Sequence, residues 1–250
     1  MKKIISVSLL SAFLCVLTFT GCKKKEDKPT PASYTCAACT TTPDAVAAND
    51  NLSKGIYKGI IVGSSGTIKF DIMNNDTTIK AYMVIDGVSV TLTSTVRWAS
   101  GVSYVSPFTG TLNGEAVSIT FSVDGDGANP TVTAMNIPGH PNASLTLSKE
   151  TSTNLIKCFE GSYKNVTTGE KGNFNLFLSV SLKKWSAKAK ADGGTNAVTV
   201  EGTFDGTSTL NFDDGKGTSG KSTLTGDNIT DGTFKTDKGE NGTWEGKRTL

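Results

Sequence analysis

Histidine is almost missing from this chain: its 250 residues hold one, His140, set between Gly139 and Pro141. Triad hydrolysis needs a base beside the nucleophile, and a histidine flanked by glycine and proline reads as a loop residue. The expectation is a protein that is not an enzyme. An excess of charge is missing too. The chain has 25 Lys and Arg against 23 Asp and Glu, and losing Lys2 and Lys3 with an N-terminal leader leaves 23 against 23. A neutral chain lacks the basic stripe that displaces counterions from phosphates, so no nucleic acid is expected as a partner. No glycine run follows a strand and opens a helix, so no nucleotide phosphate cradle is expected either. The longest predominantly apolar run, from Ile4 to Leu17, falls short of the about 20 residues a spanning helix needs.

That run is where the positive signals begin. Lys2 and Lys3, the apolar stretch, and then Leu17-Thr18-Phe19-Thr20-Gly21-Cys22 have the layout of a secretory signal peptide. With the cysteine directly after Thr20-Gly21, the stretch resembles a bacterial lipobox, and the Lys-Lys-Lys-Glu-Asp that follows Cys22 resembles the start of lipoproteins of the Bacteroidota group. The resemblance implies cleavage before Cys22, a diacylglyceryl group on its sulfur and acylation of the new amino group. It also implies the outer membrane as address, on the cell surface or the periplasmic face, with the membrane held as a partner through the lipid on Cys22. Burial contributes about 0.8 kcal/mol per methylene, so two or more chains anchor stably. An ordinary secretory signal with an incidental cysteine is the alternative left open.

From residue 22 to 53 the chain is rich in Lys, Pro, Thr, Ala and Asn without apolar periodicity and reads as a flexible tether behind the lipidated cysteine. It contains Cys36-Ala37-Ala38-Cys39, and Cys158 lies far downstream. In an exported protein the default is a disulfide, and the favoured pairing joins Cys158 to one of the pair. Haem attachment fails because Thr40 follows Cys39, and zinc would need Cys158 and His140 as further ligands. No metal and no cofactor are expected.

The remainder repeats itself. Gly55-Ile56-Tyr57-Lys58 matches Gly161-Ser162-Tyr163-Lys164 at an offset of 106, and in the same register Gly66 meets Gly172, Phe70 meets Leu176 and Asp86-Gly87 meets Asp192-Gly193. Gly110-Thr111-Leu112-Asn113-Gly114 then matches Gly202-Thr203-Phe204-Asp205-Gly206 at an offset of 92, so the first half carries 14 extra residues between about Leu92 and Gly110. Within each half the apolar period is two, as in Val117-Ser-Ile119-Thr-Phe121-Ser-Val123; Phe177 alone breaks the alternation from Leu176 to Leu182. Asp-Gly and Asn-Gly pairs punctuate these runs and favour tight hairpins. The expected fold is all-β: two tandem antiparallel β-meander domains of about eight short strands each, barrel-like or sandwich. Residues 1–21 are then signal peptide, 22–53 lipidated cysteine and tether, 54–150 the first β-domain, 151–156 a linker and 157–250 the second.

Gly232-Thr-Phe234 and Gly242-Thr-Trp244-Glu-Gly246 resemble the Gly-Thr-aromatic-x-Gly repeats of secreted all-β bacterial proteins, and the Gly-x-aromatic strand openings resemble lipocalin-like barrels. For binding, the candidates are Arg97, Trp98, Tyr104 and Phe108 in the insertion, since aromatics and arginine favour recognition of an extracellular glycan or protein; the alternative is that these rings complete the first core. For catalysis, the weaker candidates are the pairs Asp124/Asp126 and Asp213/Asp214, which could serve glycan hydrolysis only by converging on one cleft. The favoured function is a lipid-anchored, non-enzymatic envelope protein whose β-domains bind, adhere or space. A barrel carrying a small lipophilic ligand is the remaining alternative, with the less charged first half as the better site for it.

Overall fold

Alternating apolar and polar residues between closely spaced turns fold the chain into two consecutive antiparallel meanders. The computed structural model describes residues 34–63 and 65–250; the expected signal peptide 1–21 and lipid-attachment residue Cys22 lie outside the described residues. The first sheet comprises β1 (Gly55–Val62), β2 (Gly66–Ile72), β3 (Ile79–Ile85), β4 (Val88–Thr93), β5 (Tyr104–Leu112), β6 (Glu115–Val123), β7 (Thr131–Asn136) and β8 (Ser144–Lys149). Its order is β7-β6-β5-β4-β3-β2-β1-β8, a nearly closed barrel whose two edge strands approach without a ladder between them. The second comprises β9 (Ile156–Asn165), β10 (Lys171–Ser179), β11 (Lys184–Ala191), β12 (Ala197–Phe204), β13 (Thr209–Asp213), β14 (Ser219–Thr225), β15 (Asn228–Lys235) and β16 (Asn241–Arg248). It closes fully, β16 pairing back onto β9. The all-β expectation of two eight-stranded meanders is met.

Two hairpins show why the turn pairs matter. Asp86-Gly87 joins β3 to β4 and Asn113-Gly114 joins β5 to β6, with φ of 48° and 78° in the first and 52° and 87° in the second. Positive φ at both central residues is the type I′ geometry that matches strand twist.

The first barrel is filled. Phe70 stacks on Phe121 at 4.7 Å between ring centroids and meets Phe108 edge-on at 4.9 Å, while Ile68, Met83, Ile85 and Ile119 pack around them. Strand β1 is buried on both faces along its whole length, Lys58 included. Tyr57 and Ile61 enter the first core; Ile60 and Val62 face outward onto Ile156, Cys158 and Phe177 of the second barrel. Phe177 breaks the alternation of its strand because it lies on this seam.

One carboxylate organises the junction. Glu150, fully buried, accepts from Lys58 Nζ at 2.7 Å, from the Ile156 N–H at 3.0 Å and from the Asp44 N–H at 2.7 Å. It thereby ties together the first barrel, the second barrel and the segment that precedes them.

That preceding segment corrects the expectation of a flexible tether over its described part. Residues 34–53 form a strap against both barrels, because polar side chains and turns satisfy its backbone where an apolar stripe does not. Tyr34 donates its hydroxyl to the Arg248 carbonyl at 2.9 Å, the Cys36 N–H reaches Asp227 at 2.9 Å, and Arg248 Nη2 donates to the Thr40 carbonyl at 2.7 Å. Further on, Tyr57 donates to the Ser53 carbonyl at 2.9 Å, and Lys149 Nζ donates to the carbonyls of Asn49, at 2.8 Å, and Leu52. The strap so plugs the end of the first barrel where β1 begins.

The cysteine pairing is corrected as well. Cys36 bonds Cys39, and Cys158 is a free thiol. The reason is topological: Cys158 points outward from β9 into the seam beneath β1, whereas Cys36 and Cys39 meet across one turn, with the Cys39 N–H donating to the Cys36 carbonyl. Burial pushes the Cys158 thiol up to about 12, with Lys58 and Arg248 offsetting only part of that effect.

The junction makes a direct prediction. Glu150→Ala leaves the buried Lys58 ammonium with Asp44, 3.5 Å away, and orphans the Asp44 and Ile156 N–H groups; it should cost about 3–5 kcal/mol in urea denaturation, whereas Glu150→Gln, which keeps an acceptor for those donors, should cost less. An unchanged midpoint in Glu150→Ala would refute this role.

Candidate functional site

The inward faces of the second barrel alternate glycine with aromatic residues. In a Gly-x-aromatic triplet both ends point to one side of the strand, and here that side is the interior. Across the ladder each ring lies opposite a glycine: Phe174 faces Gly161, Tyr163 faces Gly172, Trp185 faces Gly202, Phe212 faces Gly220, Trp244 faces Gly232 and Phe234 faces Gly242. A Cβ added at any of these glycines would collide with the facing ring. Missing side chains let large rings lean across to the neighbouring strand in a narrow barrel. The rings then meet edge to face, Phe174 with Trp244 at 5.5 Å and Trp185 with Phe212 at 6.0 Å.

Above these rings the interior is not filled. A cavity of about 380 Å³ opens between them, within the range of small-ligand sites. Its space comes from β11, whose inward residues after Trp185 are Ala187, Ala189 and Ala191, facing Val200 and Val198 on β12. At the 106-residue offset the first barrel places Ala81, Met83 and Ile85, all buried. Val198 is an inward residue that remains 63% exposed, which marks the cavity as open. Leu178, Phe204, Leu210, Leu224 and Ile229 close the opposite end. The strap residues Tyr34 and Cys36 dock at that closed end, beside Asp227 and Arg248, away from the mouth.

One charged residue, Glu170, is found among the described residues lining the cavity. It sits at the mouth, where Tyr163 donates its hydroxyl to Glu170 Oε1 at 3.4 Å. Burial and then the Glu170 charge push the Tyr163 hydroxyl up to about 12. The arrangement can hold an apolar body by burial and meet a polar end at the mouth; it presents no paired acid and base.

A larger groove of about 940 Å³ crosses the outer face of the same barrel, past Lys184, Glu201, Asn211, Lys221 and Lys235. These side chains are exposed and of mixed sign, so the groove lacks the desolvated centre that carries binding energy.

The residues selected from sequence fall elsewhere. Tyr104 and Phe108 alternate inward on β5 and are buried in the first core. Trp98 packs against that core and donates to Ser53 Oγ at 2.8 Å, and Arg97 is exposed beside it. The insertion therefore completes the first barrel, as the core reading of these rings expects, and the candidate recognition patch of Arg97, Trp98, Tyr104 and Phe108 is corrected. Asp124 and Asp126 shape the turn after β6, and Asp213 and Asp214 the turn after β13. Asp126 accepts from the Ala128 N–H at 2.9 Å, and Asp214, whose pKa is lowered by backbone N–H groups, accepts from Lys216 at 2.7 Å. These are turn-forming roles in separate barrels, and a general acid needs its pKa raised. His140 lies 3.7 Å from Asp86 in the loop before β8. Among the described residues no group of three or more His, Cys, Asp or Glu could hold a metal ion, and no helix is long and apolar enough to cross a membrane. Comparison with family models, with curated proteins and with solved structures returns no match.

The cavity residues were missed by sequence reading, although a signal existed. Ser186-Ala187-Lys188-Ala189-Lys190-Ala191 alternates as a strand should, but its inner face is all alanine where the first half has Met83 and Ile85. The ring and glycine pairing also predicts a stability effect. Gly220→Ala should lower stability by more than about 2 kcal/mol, because the added methyl displaces Phe212; thermal melting would show it. A melt equal to wild type would mean the ring does not need the glycine.

Proposed function

We propose that this chain is a lipid-anchored, non-enzymatic protein of the cell envelope whose second barrel binds a small apolar ligand. The single observation that supports binding is the open cavity walled by Tyr163, Phe174, Trp185, Phe212, Phe234 and Trp244 and left vacant of side chains by Ala189 and Ala191. Apolar pockets with a few polar groups at the rim are the usual form of small-molecule sites. The anchor rests on the lipobox resemblance around Cys22. The strap enters the body at the closed end of the second barrel, away from the mouth. In this reading the filled first barrel serves as a rigid mount.

The test uses the mature protein and the neutral dye phenylnaphthylamine. Dye fluorescence should rise on binding and emission from Trp185 and Trp244 should fall. Ala189→Met with Ala191→Ile, which copies the first barrel, should weaken dye binding more than about tenfold without lowering the melting temperature. A wild type that binds no dye, or a filled variant that binds equally well, would sink the binding reading. Intact mass of the same preparation tests the anchor: a mass without acyl chains on Cys22 would sink that part alone.

A further inference from the structure

The cavity offers one charge, and its sign discriminates among apolar ligands. Resting on the reading of the second barrel as a binding site, we propose that its ligand is an apolar amine, seated with its tail among the rings and its protonated nitrogen at Glu170, and that the corresponding acids are rejected.

The placement of charge around the mouth supports this. Lysines are plentiful on these strands, but strand alternation sets them outward: Lys171 precedes inward Gly172, Lys188 and Lys190 flank inward Ala189, and Lys235 follows inward Phe234. None of them lines the cavity, whereas Glu170 does. The carboxylate has room for several hydrogen bonds, and its contact with Tyr163 is long at 3.4 Å. The neighbouring recess brings Lys238 and Glu240 near Glu170, and Glu240 accepts from Asn165 Nδ2 at 2.8 Å. Burial is the first cause of the raised Tyr163 pKa, and the charges of Glu170 and then Asp192 add to it.

The rings favour the same end group. Tyr163 and Phe234 stand edge to face at the mouth, 6.3 Å between centroids, and aromatic faces attract cations. A carboxylate head seated there would be drawn partly out of water next to Glu170, with like charges at short range. An ammonium head gains from both the carboxylate and the rings, and an alcohol head is intermediate.

Three probes with one tail and different heads separate the terms: decylamine, decanol and decanoate, used at neutral pH below their micellar concentrations to displace phenylnaphthylamine. In wild type, decylamine should displace the dye at a concentration at least about tenfold below decanoate. Glu170→Gln, an exposed and conservative change, should narrow that gap to within about threefold, chiefly by weakening decylamine. Decanoate binding as well as decylamine, or a gap that survives Glu170→Gln, overturns the head-group inference while leaving the cavity reading intact. Failure of all three probes and of the dye overturns both.

Discussion

A ring on one strand lying over a glycine on the next is the constraint from which the second barrel follows. A small closed barrel has room inside for side chains only if they interlock, and six aromatic residues are accommodated because each leans into a position that carries no Cβ. The Gly-x-aromatic triplets are thus a packing code. In the β9–β10 and β15–β16 pairs the exchange is reciprocal: each glycine receives a ring from the facing strand, and the aromatic residue two positions away covers that strand's own glycine. This produces a wall of flat, rigid, apolar surface that does not collapse when the space above it is left unfilled, which is the condition a preformed apolar site requires.

Two barrels of equal strand number therefore have different interiors. In the first, Met83, Ile85, Phe108 and Phe121 fill the core, the strap plugs one end, and buried Ile137 packs into the core from the connection between β7 and β8. In the second, alanines on β11 leave the volume open at one end, while Phe204 and aliphatic residues seal the other. The seam holds them together by apolar contact around Ile60, Val62, Ile156 and Phe177 and by the buried pair of Lys58 and Glu150. Such a pair adds little net stability compared with an apolar substitute. Here Glu150 also satisfies backbone N–H groups of the strap and of the second barrel and so fixes how both meet the first.

Much of the fold was legible because period-two alternation and I′ turn pairs are local signals: Val117 to Val123 and Asn113-Gly114 form the strand and turn their spacing predicts. Phe177 was legible as an exception but not as a seam residue, since its partners are more than a hundred positions away on β1. The strap was misread because polar chain and docked polar chain have the same composition; only Glu150, Asp227 and Arg248 distinguish them. The cysteine pairing depended on which face of β9 carries Cys158, which spacing does not reveal. The aromatic insertion drew attention by composition, although Tyr104, Ser106 and Phe108 already alternate as inward residues. The cavity was hidden for the opposite reason: an inward alanine and an inward methionine satisfy the same pattern, and the difference appears only when Ala189 is set against Met83.

A crystal structure determined under xenon pressure would show whether the second barrel holds accessible apolar space, since xenon occupies dry apolar cavities. Xenon should appear among Ala187, Ala189, Val198 and Val200, and not in the packed core around Phe70, Phe108 and Phe121. Side chains folded into that volume, or ordered water there in place of xenon, would contradict it.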